Sequence, residues 1–204
     1  MNITTKRQTP LASVLACVGL LLVAGPAAAA EYWLCAKAGS VTLPDSAVVP
    51  IWGYVQDDNA NLADGCPALD ATTWTAALPA LTVPSADTGL TVHLRNDLTA
   101  EPTSIVIPGQ TATMTPVKVT DLQGRQRVRS FTHEAAAAGG TADYVWSTIK
   151  PGTYLYHSGT HPQVQVQMGL YGAVVKNFLD STPGVPGQAY EGVPFAAEQT
   201  LLFS

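Results

Sequence analysis

Charge is what this sequence has least of. Asp, Glu, Lys and Arg together make up 12% of its 204 residues, about half the one-quarter usual in soluble domains. There are 10 basic residues against 15 acidic, for a net charge of −5. A chain so poor in cations offers little to a phosphate backbone or an anionic bilayer, so nucleic-acid and membrane-surface binding are excluded. Cysteine is scarce as well. The three, Cys17, Cys35 and Cys66, form no Cys-x-x-Cys and have no histidine beside them, which excludes a thiolate metal site of ordinary spacing. No Gly-x-Ser-x-Gly elbow marks a nucleophile, and Gly139-Gly140 does not open a helix after a strand, so nucleotide binding has no support. The apolar run 11–25 is too short to span a bilayer. Beyond it, no segment has the periodicity of an amphipathic helix.

What is present begins with an export signal. Lys6 and Arg7 make a short basic region, 11–25 is the apolar core, and Ala28-Ala29-Ala30 suits cleavage before Glu31. Residues 1–30 therefore read as a signal peptide, and the mature chain as periplasmic or secreted, without a membrane span. Its removal takes Cys17 away and leaves Cys35 and Cys66. An even pair in an oxidising compartment predicts a disulfide.

From residue 31 onward the pattern is one of short strands. Residues 32–36 and 48–55 read as two, the second rich in β-branched and aromatic side chains, with turn residues Gly39, Pro44 and Asp45 between them. Residues 57–67 form a loop, which a Cys35–Cys66 bridge would tie back to the first strand. In 89–98, Leu90, Val92 and Leu94 share one face while Thr91, His93 and Arg95 share the other, so His93 reads as a solvated group. Residues 103–107, 128–133 and 142–149 are further strands. Tyr144 and Trp146 share a face and are directed to the core, and His133, before Glu134 at a strand end, has a pairing or capping role. Seven or more strands, with turn signals about every ten residues, predict an all-β Greek-key β-sandwich over 31–180. Residues 181–204 read as a Pro/Gly linker, ending at 198–204 in an apolar segment taken as the first strand of a further domain.

The stretch 151–175 is the most informative. A Pro151-Gly152 turn leads into the alternating Thr153, Tyr154, Leu155 and Tyr156, then His157, Ser158-Gly159 and His161. After these, Val164, Val166, Met168 and Leu170 alternate with Gln163, Gln165 and Gln167, which predicts a second strand. Gly-Thr-Tyr-Leu-Tyr-His followed by Met-Gly-Leu-Tyr-Gly-Ala resembles the end of a plastocyanin-like (cupredoxin) domain of the multicopper oxidase family. The resemblance implies an oxidoreductase with copper as cofactor. It makes 31–180 an N-terminal cupredoxin domain that works with further cupredoxin domains, downstream or in another subunit, and with a small-molecule or protein electron donor. It also implies where ligands would lie. In an extended strand, residues i and i+2 face the same way about 6.6 Å apart, so a His-x-His pair can serve two neighbouring ions of a trinuclear copper cluster. Here one pair reads His157-Ser158-Gly159, and the other, His-Trp-His-Gly in the family, reads Val106-Ile107-Pro108-Gly109. His161 shares the face of His157 but lies about 13 Å along a straight strand. A bend at Gly159 would bring the two together, with His133; these three histidines are the metal candidates. No type 1 copper site is expected, because Ser158 stands where a cysteine would and Met168 reads as core filling. Two functions remain open. One is the N-terminal domain of an exported multicopper-oxidase-like oxidoreductase that lacks most first-domain ligands. The other is a non-catalytic cupredoxin module for copper handling, assembly or partner binding.

Overall fold

The computed structural model describes residues 28–57, 59–67 and 80–202. The expected signal peptide lies, through residue 27, outside the described residues. The described chain runs β1 (Ala29–Thr42), β2 (Val48–Gln56), β3 (Ala80–Val83), β4 (Gly89–Asn96), β5 (Val117–Thr120), β6 (Gln126–Ser130), β7 (Gly140–Trp146), β8 (Gly152–His157), α1 (Pro162–Met168), β9 (Tyr171–Lys176), β10 (Gly187–Tyr190) and β11 (Val193–Phe195). It is mostly β, as expected.

Two sheets carry the core. The first has the order β2-β1-β4-β7, the second β3-β9-β8. Strands β1 and β4 pair in parallel, as do β3 and β9, while β1–β2, β4–β7 and β8–β9 are antiparallel. The alternation read in β4 is realised: Leu90, Val92 and Leu94 are buried and the residues between them are less so. They join Leu34, Tyr54, Tyr144 and Trp146 of the first sheet and Leu81, Val83, Tyr156 and Val174 of the second in one apolar cluster. Tyr156 lies opposite Gly172 across β8–β9, and a Cβ on that glycine would run into the Tyr156 ring. On the outer side of the first sheet, Cys35 and Cys66 form the expected disulfide, with Cα atoms 5.9 Å apart. The loop it holds is further fixed by Lys37 Nζ, which donates to the Cys66 carbonyl at 3.1 Å, and by Arg95 Nη1, which donates to the Leu62 carbonyl at 2.9 Å.

Gly39, read as a turn residue, lies within β1 opposite Ile51, and three further sequence expectations change. Residues 103–107 form isolated bridges, Thr103 to Ala135 and Val106 to His157, where a strand was expected. Residues 198–202 carry no strand; the regular structure near the C-terminus is the β10–β11 hairpin. The third change matters most. The Val/Gln alternation at 163–170, expected as a strand, is helix α1 followed by Gly169 and Leu170. Pro162 stands at the start of that helix, where a fixed φ and a missing N–H suit the first turn. Gly169, with φ 116, ends it and donates its N–H to Val166 O at 3.0 Å. Winding the segment reverses which residues go inside: Gln165 is fully buried and Val164 is 47% exposed.

Candidate functional site

The site grows from the end of β8. His157 bridges Val106, each donating its N–H to the other's carbonyl, at 2.9 and 3.0 Å. The chain then leaves the sheet: Ser158 N–H donates to Leu170 O at 3.0 Å, and Thr160 bridges Ser130 at the end of β6. His161 takes a left-handed conformation, φ 39 and ψ 53, at the helix N-cap. That region is uncommon for a residue with a Cβ. Segment 158–161 is thus pressed between β6, β8 and α1.

Its side chains face inward onto other hydroxyls. Thr103, Ser104, Ser130, Ser158, Thr160 and Gln165 are all fully buried. Gln165 Oε1 accepts from Thr103 Oγ1 at 2.9 Å and from Ser158 Oγ at 2.6 Å, while its Nε2 donates to Pro102 O at 2.8 Å. Ser104, Ser130 and Thr160 form a triangle of hydroxyls 3.0–3.1 Å apart, in which each can donate to the next. Tyr54 OH closes the group by donating to Ser104 O at 2.7 Å. Burial drives the Tyr54 phenol well above its ordinary pKa, so it stays a donor. Buried polar groups are tolerated when each is paired, and these are.

The histidines have separate partners. His157 donates Nδ1–H to the Ser158 carbonyl at 2.8 Å, which leaves Nε2 as its ligand-capable nitrogen. His161 Nδ1 lies 3.3 Å from Glu101 Oε2. The His161 N–H donates to Arg129 O at 2.9 Å, and the Arg129 guanidinium forks onto the carboxylate of Glu134. His133 stacks on Tyr144 with centroids 4.6 Å apart and donates Nε2–H to Asp143 O at 2.9 Å. His93, on the outer face as read from the sequence, stacks on Trp33 and meets Asp143 Oδ1 at 2.7 Å. Among the described residues, no group of three or more His, Cys, Asp or Glu converges to hold a metal ion.

A copper pair at 157 and 159 would need a side chain at Gly159. A Cβ on Gly159 would sit 2.8 Å from Val106 Cγ1, a contact that requires something to move, and 3.1 Å from Ser104 Oγ, which is tight. The residues present do not fit the family's pair of imidazoles. The sequence reading missed Gln165 and the hydroxyl cluster. The signal available was local: Gly-Thr-His-Pro followed by three regularly spaced glutamines can open a helix as readily as continue a strand.

The family model described as multicopper oxidase matches residues 75–177. Among solved structures, a multi-copper oxidase from Pseudomonas thermotolerans is similar at 25% identity with a TM-score of 0.51, over 76% of this chain and 31% of that one. The multicopper oxidase mgLAC is 16% identical with a TM-score of 0.50, over 76% of this chain and 41% of that one, a likeness of fold alone. The chain thus spans less than half the length of either structure. No curated protein matches the sequence.

Proposed function

The chain belongs to the multicopper oxidase family, and from that premise we propose that it is the N-terminal cupredoxin domain of an exported oxidoreductase whose copper ligands come mainly from other cupredoxin domains. Its own part is to present a rigid β scaffold to those domains, downstream or in another subunit. Electrons reach the copper from a small-molecule or protein donor. The observation that carries this reading is the match over 75–177 together with the obstructed position at Gly159: a family domain whose second imidazole site is filled. The only copper contact it offers from the family's first-domain positions is Nε2 of His157, and one neutral imidazole holds copper weakly. His133 adds to that site only by giving up a partner, since Nδ1 meets Thr132 Oγ1 and Nε2 meets Asp143 O, whereas His161, paired with Glu101 through Nδ1, keeps Nε2 for a ligand bond.

The test uses the chain alone. It is loaded with Cu(II), dialysed, analysed for metal and assayed for oxidation of a phenol. The expected result is at most one copper per chain, no intense blue absorption and no turnover. Two or more tightly held coppers, or turnover by this chain, overturn the proposal. The second reading, a module for copper handling or partner binding, is favoured by the completeness of the hydroxyl cluster, which leaves the domain folded without an ion.

A further inference from the structure

We infer that the second imidazole position is closed in this chain by Val106, and that hydrogen bonds have replaced a metal ion as the device holding segment 157–161. The inference rests on the functional reading above but makes a claim of its own: replacing Gly159 with histidine does not restore a ligand.

The geometry is specific. The Val106–His157 bridge puts the Val106 side chain beside the strand end, where Cγ1 stands 2.8 Å from a Cβ at 159. From the other side, Phe131 N–H donates to Gly159 O at 3.0 Å, and Phe131 Cβ lies 3.5 Å from the same built atom. Val106 is therefore the obstruction, with Phe131 at ordinary contact distance on the other flank. Its neighbours are pinned as well. Ser158 Oγ accepts from the Thr160 N–H at 3.1 Å and donates to Gln165 Oε1, and Thr160 Oγ1 is part of the hydroxyl triangle. A side chain at 159 cannot be relieved by swinging this loop outward without breaking those bonds. Copper ligands need free lone pairs aimed at one point. Here Val106 fills the space, and the adjoining side-chain oxygens are bonded to one another.

The sign of one substitution tests this. Gly→Ala stabilises a site whose backbone and space permit it, because it restricts the unfolded chain. Gly159→Ala is expected to do the reverse, lowering Tm by about 5 °C through overpacking. In a Val106→Ala background, which removes Cγ1, the same alanine is expected to cause no further fall. Gly159→His, loaded with Cu(II) and dialysed, is expected to hold no more copper than the parent chain. A neutral or stabilising Gly159→Ala, or an equal fall in both backgrounds, overturns the closure. So does a Gly159→His chain of parental Tm that gains a copper. Should Gly159→His fail to fold, the alanine pair still decides. These outcomes are independent of the functional reading, which fails only if the unaltered chain itself retains two coppers or turns over.

Discussion

Replacing Gln165 with leucine should be among the most destabilising single changes in the site, and its size follows from three hydrogen bonds. The buried amide accepts from Thr103 and Ser158 and donates to Pro102 O. Leucine is close in volume, so packing is largely kept and the loss is polar. Thr103 Oγ1 and Ser158 Oγ are 3.2 Å apart, so one hydroxyl can turn to the other. Ser158 Oγ also has Thr160 O at 3.2 Å. That leaves the Pro102 carbonyl without its partner and the two hydroxyls on longer bonds than before. An orphaned buried group costs roughly 1–3 kcal/mol, so the net loss should be about 2 kcal/mol, or about 4–8 °C in Tm for a chain of this size. Urea and thermal denaturation of the chain measure it. Val164→Ala, one residue away on the exposed side of α1, is the control and should change stability by less than about 0.5 kcal/mol. If the order were reversed, with Val164→Ala costly and Gln165→Leu neutral, the segment would be the alternating strand read from sequence and the helix would be refuted.

Other outcomes follow from the same structure. The Cys35–Cys66 bridge closes 31 residues, so a Cys35→Ala/Cys66→Ala chain should lose about 4 kcal/mol by loop-closure entropy, and thiol titration of the denatured chain should find no free sulfhydryl besides that of Cys17. Gly172→Ala should destabilise by about 1–3 kcal/mol or more through the Tyr156 ring, read as a lower urea midpoint; an unchanged midpoint would place that ring elsewhere. Burial pushes the phenols of Tyr54, Tyr144 and Tyr156 upward. A raised folded pKa gives stability that is complete below the unfolded value of about 10 and is lost as pH rises past it. Spectrophotometric titration should therefore show these three ionising only as the protein unfolds alkaline-side, and reversible ionisation of all seven tyrosines in the folded state would contradict their burial.

The parts of the fold legible in sequence were those where one period dominates. Leu90, Val92 and Leu94 alternate without ambiguity, and β4 lies in the middle of its sheet with that face in the core. Cys35 and Cys66 were legible from compartment logic alone. Residues 103–107 were less so: their apolar content is high because they are buried, yet they meet two different neighbours through single bridges, and burial without a ladder looks like a strand in sequence. At 163–170 the period itself misled. With valine and glutamine in strict alternation, the apolar count favours a strand, and Pro162 and Gly169 are the only marks that the chain winds there. The same alternation sets Gln165 on the face opposite the valines, whereas tertiary hydrogen bonding takes it inside.

The same three bonds bear on the metal. A loop that carries ligands for an ion is held partly by the ion, and its hydrogen-bonding groups are arranged around a charge. In this chain the corresponding loop is held by hydrogen bonds among its own side chains. Thr103 and Ser158 meet on one amide oxygen, Thr160, Ser104 and Ser130 close on themselves, and Tyr54 supplies a phenol too deeply buried to ionise. None of these groups carries charge, in keeping with a sequence that has so little of it. A buried cation introduced here would meet no carboxylate among the six cluster side chains, and neutral hydroxyls would repay little of the several kcal/mol that desolvating an ion costs. Copper bound by this domain is therefore expected at the rim, on Nε2 of His157, and to be displaced by a modest chelator that leaves the Tm unchanged. Loss of copper accompanied by a fall in Tm would place the ion inside the cluster and contradict the argument.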